Sequence, residues 1–63
     1  MDDVYRNLQL VVTVHGEEGT FPVAAFLSLN DATRYARAER GIWPRVTITD
    51  VLTGEVKEID PLP

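Results

Sequence analysis

A single histidine beside two glutamates is the group in this 63-residue chain that comes nearest to a set of metal ligands. His15 is followed by Gly16 and then by Glu17 and Glu18. Metal sites hold their ligands on rigid elements at regular spacings and support them with further hydrogen-bond partners. A glycine-flanked turn offers no such support. We therefore expect His15 to be solvated and the chain to bind no metal.

Nucleophilic and acid–base chemistry find equally little support. Ser28 is the only serine, and a serine nucleophile needs a base, an orienting group and an oxyanion site. A catalytic pair of acids needs surroundings that move the two pKa values apart, but the acid pairs here fall in a turn and near the ends of the chain: Asp2 with Asp3, Glu17 with Glu18, and Glu58 with Asp60. There is also no glycine-rich phosphate loop. We predict no catalytic residue, no cofactor and no enzymatic activity.

Arginines cluster in the second half of the chain. Residues 34–45 contain four arginines and one glutamate, a net charge of +3. The rest of the chain contains two basic and nine acidic residues, a net charge of −7, so the whole chain has a net charge of −4. Arginine beside aromatic residues is typical of protein interfaces and of surfaces that stack on bases. The candidate partner contact is therefore Arg34, Arg37, Arg40, Trp43 and Arg45. The alternative is an ordinary solvated helix face, with Trp43 in the core.

Two strands are predicted in the first half of the chain. Residues 7–15 alternate between apolar and other side chains and are rich in valine, which indicates a half-buried strand. Residues 20–26 indicate a second strand after the glycine turn. Pro22 has no N–H to donate to a neighbouring strand, so we expect this second strand at an edge of the sheet.

A helix is predicted to follow. Ser28 and Asp31 match a capping pattern, with Asn30 as an alternative cap. Gly41 is expected to end the helix in the left-handed conformation that glycine adopts easily. An apolar stripe at helical spacing is expected to face the sheet, and it consists of Leu29, Ala32, Tyr35 and Ala36.

The remaining residues indicate a β-hairpin. Residues 45–50 alternate again, and the last strand is expected over residues 55–59 with a bulge or an early end, because its apolar residues are out of phase. Gly54 is expected at a positive φ in the turn. The Asp50 carboxylate is expected to accept hydrogen bonds from backbone N–H groups across that turn.

The element order is therefore ββαββ. A right-handed crossover from the second strand through the helix to the third leaves room for one strand between them, and the first strand is apolar enough to fill it. We predict an α+β fold with a four-stranded antiparallel sheet of order 2-1-3-4 and one helix on one face. Residues 1–63 are expected to form a single domain with flexible ends at residues 1–5 and 60–63.

One helix covers only one face of such a sheet. The other face is expected to mix threonine with aliphatic residues, which suits either water or a second copy of the chain. The candidate dimer face is Val11, Thr13, Thr47, Thr49 and Val51, with Ala24 and Ile59 beside them. Small size also favours a homodimer, because so short a chain buries little core and has no cysteine for a disulfide.

The expected location is the cytoplasm. Absence of cysteine fits a reducing compartment. Met1, Asp2 and Asp3 do not resemble the basic start of a secretory signal. The longest apolar run is far shorter than the roughly 20 residues that a membrane span needs, so we expect no membrane contact.

These observations favour a small non-catalytic interaction module that binds another protein as an adaptor, inhibitor or modulator. One alternative is nucleic-acid contact through the arginines of residues 34–45, although a net charge of −4 argues against a general basic footprint. Another is a phage-type inhibitor whose acidic surface imitates nucleic acid. Residues 43–50 resemble segments of many small bacterial or phage proteins, a likeness that implies no function.

Overall fold

The computed structural model describes residues 9–61, which form one helix packed on a four-stranded sheet. The sheet is antiparallel with order β2-β1-β3-β4, which confirms the predicted fold. Its elements, in chain order, are β1 (Leu10–Gly16), β2 (Gly19–Phe26), α1 (Leu29–Arg40), β3 (Arg45–Asp50) and β4 (Val56–Glu58).

The predicted flexible ends fall largely outside the described residues, which exclude 1–8 and 62–63. Asp60 and Pro61 are described and belong to no strand. Within residues 9–61, no helix has the length and apolar character needed to cross a membrane.

The core lies between α1 and the sheet. Alternate residues of β1 are buried, namely Leu10, Val12 and Val14. Val12 lies opposite Ile48 of β3, and Val14 lies opposite Val46. Opposite residues of antiparallel strands share a face, so these side chains form one apolar layer under α1.

The start of α1 is set by Ser28. Its backbone is extended, with φ −108°, and its hydroxyl oxygen accepts a hydrogen bond from the Asp31 N–H at 3.4 Å. A cap of this kind satisfies one of the free N–H groups of the first turn. Asn30 lies inside the helix, so the alternative cap is wrong.

Only part of the predicted apolar stripe is buried. Ala32 and Ala36 are fully buried against the sheet, whereas Leu29 and Tyr35 lie at the flanks and remain exposed. The Tyr35 ring packs against the ring of Phe26 in β2, with 5.4 Å between ring centroids. Two alanines at the centre of the contact let α1 lie close to the sheet.

The end of α1 differs from the prediction. Gly41 has φ −70° and ψ −18°, a right-handed conformation, so the predicted left-handed cap is wrong. The reason is that helical hydrogen bonding continues one turn further: the N–H groups of Ile42 and Trp43 both donate to the carbonyl oxygen of Glu39, at 2.9 and 2.8 Å. Ile42 is 76% exposed.

The edge strand β2 contains a bulge that its sequence did not indicate. Val12 lies opposite Ala24, but Thr13 lies opposite Pro22, which leaves Val23 as an extra residue. A bulge reverses the face that the following residues take. Ala24 therefore shares the face of Val12, under α1, and the expectation that it belongs to the open face is wrong. The edge position of β2, predicted from Pro22, is confirmed.

The turn between β3 and β4 follows the prediction. Gly54 has φ +79°. The Asp50 carboxylate oxygen Oδ1 accepts hydrogen bonds from the N–H of Leu52 at 2.9 Å and the N–H of Thr53 at 3.4 Å. These bonds fix the turn and therefore the register of β4.

The last strand ends early, as predicted, at Glu58. Ile59 then turns into the core, where it is only 5% exposed, and its N–H donates to the carbonyl oxygen of Val46 at 2.9 Å. Ile59 was expected near the open face, and that expectation is wrong. It shares the face of Val46, opposite which it lies.

Candidate functional site

A groove runs between α1 and the edge strand β4. α1 packs across β1, β2 and β3 and does not reach β4 in the part of the chain that the structure describes. The space left between them has a volume of about 700 Å³. We call it the cationic groove, and its lining includes Leu29, Thr33, Arg34, Arg37, Ala38 and Lys57.

Three cations from two elements meet in the cationic groove. Arg34 and Arg37 are three residues apart on α1, a spacing that puts side chains on the same side of a helix. Lys57 lies opposite Ile48 in the sheet, so it projects on the side that α1 covers. The one ion pair found within residues 9–61 joins Arg45 to Glu58. None of the three groove cations is therefore paired with a carboxylate of the described residues.

The floor of the cationic groove is largely apolar. Leu29 and Ala38 contribute to it. A smaller hollow of about 320 Å³ shares Leu29 and Lys57 with it, and its lining adds the apolar Leu27 and Ile48 together with the carboxylates of Asp50 and Glu55. Leu27 and Leu29 are both exposed. A bound chain can therefore bury apolar side chains while its charged groups meet the cations.

The sequence-predicted arginine contact does not form one surface. Arg34 and Arg37 line the cationic groove. Arg40 instead donates from Nη1 to the carbonyl oxygen of Trp43 at 3.1 Å, which ties the end of α1 to the following loop. Trp43 is half-buried against the core, with its ring centroid 6.2 Å from that of Phe21.

Arg45 lies on the other side of the sheet. Its neighbour Val46 faces α1, and successive residues of a strand point to opposite faces. Its Nε donates to Glu58 Oε1 at 3.2 Å. Closeness along the chain suggested one patch, but strand alternation separates Arg45 from the helix arginines. Lys57, which the sequence analysis did not include, lies with Arg34 and Arg37 instead. Its position opposite Ile48 in the register of β4 is the signal that identifies it.

The candidate dimer residues lie mostly on the face that α1 leaves open. Val11 lies opposite Thr49, and Thr13 lies opposite Thr47. Val51 lies beyond the end of β3, in the turn, and is exposed.

Thr47 and His15 form a polar contact on this open face. Thr47 is only 2% exposed, and its Oγ1 lies 2.8 Å from His15 Nε2. His15 belongs to β1 and is half-buried, so the expectation of a solvated turn residue is wrong. No three histidine, aspartate or glutamate side chains among residues 9–61 are grouped to hold a metal ion.

The cationic groove offers hydrogen-bond donors and a partly apolar lining without a carboxylate or histidine, and the nearby carboxylates of Glu58 and Asp60 line a separate hollow beside Arg37 and Lys57. Guanidinium groups bind carboxylates through paired hydrogen bonds, and an ammonium group adds a point charge. This chemistry suits recognition of an acidic chain. Comparison with known proteins gives no relative, since no family model, no curated protein and no solved structure matches this chain.

Proposed function

We propose that this protein is a non-catalytic module that binds an acidic segment of another protein in the cationic groove. The main support is the grouping of Arg34, Arg37 and Lys57 around an apolar floor, with none of them paired to a carboxylate of residues 9–61. Ten acids outnumber six basic residues in the chain. Three cations that share a groove without taking one of those acids within the described part are available to a partner.

The free energies of ion pairs and of apolar burial indicate that the cations and the apolar lining of the groove contribute to binding in different ways. An exposed ion pair contributes about 0.2–1 kcal/mol, so three such pairs give only a modest affinity. Buried apolar surface contributes roughly 25 cal/mol per Å², so contact with Leu27 and Leu29 adds to the affinity. The cations select acidic partners and speed their association. The preferred segment therefore has both carboxylates and apolar side chains.

Nucleic-acid binding is less well supported by this arrangement. A stacking surface needs exposed aromatic rings beside a broad basic footprint. Trp43 is half-buried, and Arg45 lies across the sheet from Arg34 and Arg37. An inhibitor that imitates nucleic acid would bind its partner through acidic surfaces, and the cationic groove would take no part in that binding.

Selection from a displayed library of random peptides tests the proposal. The wild-type protein and an Arg34→Glu/Arg37→Glu variant are each immobilised and exposed to the same library. We expect the wild type to enrich peptides that combine aspartate or glutamate with apolar residues, and the variant to lose that enrichment. Equal enrichment by both proteins, enrichment of basic peptides, or no enrichment by the wild type contradicts the proposal.

A single-stranded oligonucleotide probe separates the nucleic-acid alternative. Phosphate contacts make affinity fall steeply with salt. We expect no binding of the oligonucleotide to the wild type at physiological salt. Binding that falls steeply with salt and is lost in the Arg34→Glu/Arg37→Glu variant supports nucleic-acid contact instead.

A further inference from the structure

We infer that the acidic segment docks as a fifth strand along β4, an inference that rests on the proposed function and deepens it. β4 forms one edge of the sheet and borders the cationic groove through Lys57. An edge strand presents a row of unpaired N–H and C=O groups to another chain. An extended peptide can then take its affinity from main-chain hydrogen bonds and its specificity from alternate side chains.

The ladder between β3 and β4 shows which backbone groups face outward. Ile59 donates its N–H to the carbonyl oxygen of Val46, so Ile59 bonds inward to β3. In an antiparallel pair, residues that bond to the neighbour alternate with residues that do not. Lys57 therefore also bonds inward, whereas the N–H and C=O groups of Val56 and Glu58 point away from the sheet.

The opposite edge of the sheet is blocked. Pro22 in β2 has no N–H, and the extra residue Val23 interrupts the strand two residues before Ala25. Proline and bulges both discourage a second chain from pairing with an edge. β4 contains neither feature and is followed by Pro61 only after the strand has ended. Strand addition is therefore directed to β4.

The alternation of the added strand predicts a sequence pattern. Side chains on one side of it share the side of Lys57 and enter the cationic groove beside Arg34 and Arg37. Side chains on the other side lie next to Val56 and Glu58, where Arg45 is already paired with Glu58 and attracts no further acid. The fitting segment therefore has acidic or apolar residues at every second position and non-acidic residues between them.

A second copy of the chain is a poor occupant of this edge. Its own β4 would place either Lys57 or its exposed neighbours in the groove. Lys57 of a second copy beside Arg34 and Arg37 brings like charges together, which opposes association. In the other phase Glu58 would enter the groove, but it is already paired with Arg45 of its own copy. Charge complementarity selects an acidic segment from a different protein.

The test uses an acidic peptide enriched by the wild-type protein and two variants of one position. Val56→Pro removes an outward N–H and leaves the bonds between β3 and β4 in place, since proline is tolerated where the N–H of an edge strand faces solvent. Val56→Ala is the matched control that keeps the N–H. We expect Val56→Pro to bind about fivefold or more weakly than Val56→Ala, the effect of one lost hydrogen bond, because both variants lose the valine side chain and only one loses the N–H.

A second measurement covers the case in which Val56→Pro does not fold, as judged by circular dichroism. The peptide itself is then N-methylated at alternate amides, in two versions that differ in phase. Strand addition predicts that only the version methylated on the β4 side loses affinity. Equal affinities for the two versions overturn the inference.

The outcomes separate the inference from the function on which it rests. If Arg37→Gln weakens binding but Val56→Pro does not, the peptide lies in the cationic groove in another conformation and strand addition is wrong. If neither substitution weakens binding, the proposed function is wrong as well. Weaker binding by Arg37→Gln than by the wild type, together with weaker binding by Val56→Pro than by Val56→Ala, supports the proposed function and strand addition.

Discussion

Gly16 is required by the way that the ring of Trp43 packs on the sheet. A Cβ atom added at Gly16 would lie 2.8 Å from Cζ3 of Trp43, well inside normal contact distance. Gly16 ends β1, so the tryptophan ring rests directly on the backbone of the sheet. The aromatic ring therefore needs a glycine at this point.

We expect Gly16→Ala to lower the free energy of unfolding by about 1–3 kcal/mol, because overpacking forces the ring of Trp43 to move. Urea unfolding measures the change. Trp43→Phe removes the part of the ring that the new methyl group meets, so in the double variant the cost of Gly16→Ala is expected to be smaller. Strictly additive effects of the two substitutions would contradict the contact.

Two further glycines provide a matched comparison. Gly41 has a right-handed conformation, so Gly41→Ala is expected to leave stability unchanged or raise it by about 0.4–1 kcal/mol through the unfolded state. Gly54 has φ +79°, and Gly54→Ala is expected to cost about 1–2 kcal/mol. Urea unfolding midpoints of the two variants test the assignment, and equal shifts in the same direction would contradict it.

At the scale of elements, α1 depends on its cap and on a narrow contact with the sheet. The side chains at the centre of this contact are alanines, so burial of large side chains contributes little to holding the helix. Local interactions at its first turn then matter more. The hydrogen bond from the Asp31 N–H to the hydroxyl of Ser28 is the main such interaction.

We expect Ser28→Ala to lower the free energy of unfolding by about 1 kcal/mol, the usual cost of removing a helix cap. Asn30→Ala is the control. Asn30 lies inside the helix, where alanine is the better helix former, so that substitution is expected to be neutral or slightly stabilising. A larger loss from Asn30→Ala than from Ser28→Ala would contradict the position of the cap.

The strand order was predictable because crossover handedness leaves few arrangements for ββαββ. The bulge in β2 was not predictable, because the sequence around the extra residue Val23 consists of small and apolar side chains that fit a regular strand equally well. Bulges of this kind are set by pairing with the neighbouring strand. The right-handed conformation of Gly41 at the end of α1 was also not predictable, because a glycine after a helix can adopt either a right-handed or a left-handed conformation.

The candidate site was predictable only in part, because it depends both on helical spacing and on the register of β4. Arg34 and Arg37 follow from helical spacing alone. Their meeting with Lys57 depends on which face of β4 that lysine takes, and this follows only from the register of β4 against β3. The separation of Arg45 from the helix arginines depends likewise on strand alternation.

For the whole molecule, charge is distributed unevenly between the two sides of the sheet. The side under α1 has the cationic groove, although the net charge is −4. The open side has the Arg45–Glu58 ion pair and the contact between His15 and Thr47. If the proposed function is right, we expect the net negative charge to repel an acidic partner and the cationic groove to attract it, which favours one orientation of approach.

A homodimer through the open face stays a prediction, and it would leave the cationic groove free on each copy. Sedimentation velocity at rising protein concentration tests it. We expect a dimer at high micromolar concentration, and we expect Thr49→Lys to remove it by placing like charges across the symmetric contact. A monomer at every concentration, or a dimer that Thr49→Lys leaves intact, would contradict this prediction.

Binding in the cationic groove is tested by the affinity of a library-selected acidic peptide for two arginine variants, measured by calorimetry at physiological salt. Arg37→Gln and Arg45→Gln remove the same charge, but Arg37 lines the cationic groove and Arg45 lies on the open face. We predict that Arg37→Gln weakens binding by about threefold to fivefold, in line with the loss of one exposed ion pair, and that Arg45→Gln leaves it unchanged. Equal affinities for the two variants, or a greater loss in Arg45→Gln, would show that the peptide does not bind in the cationic groove.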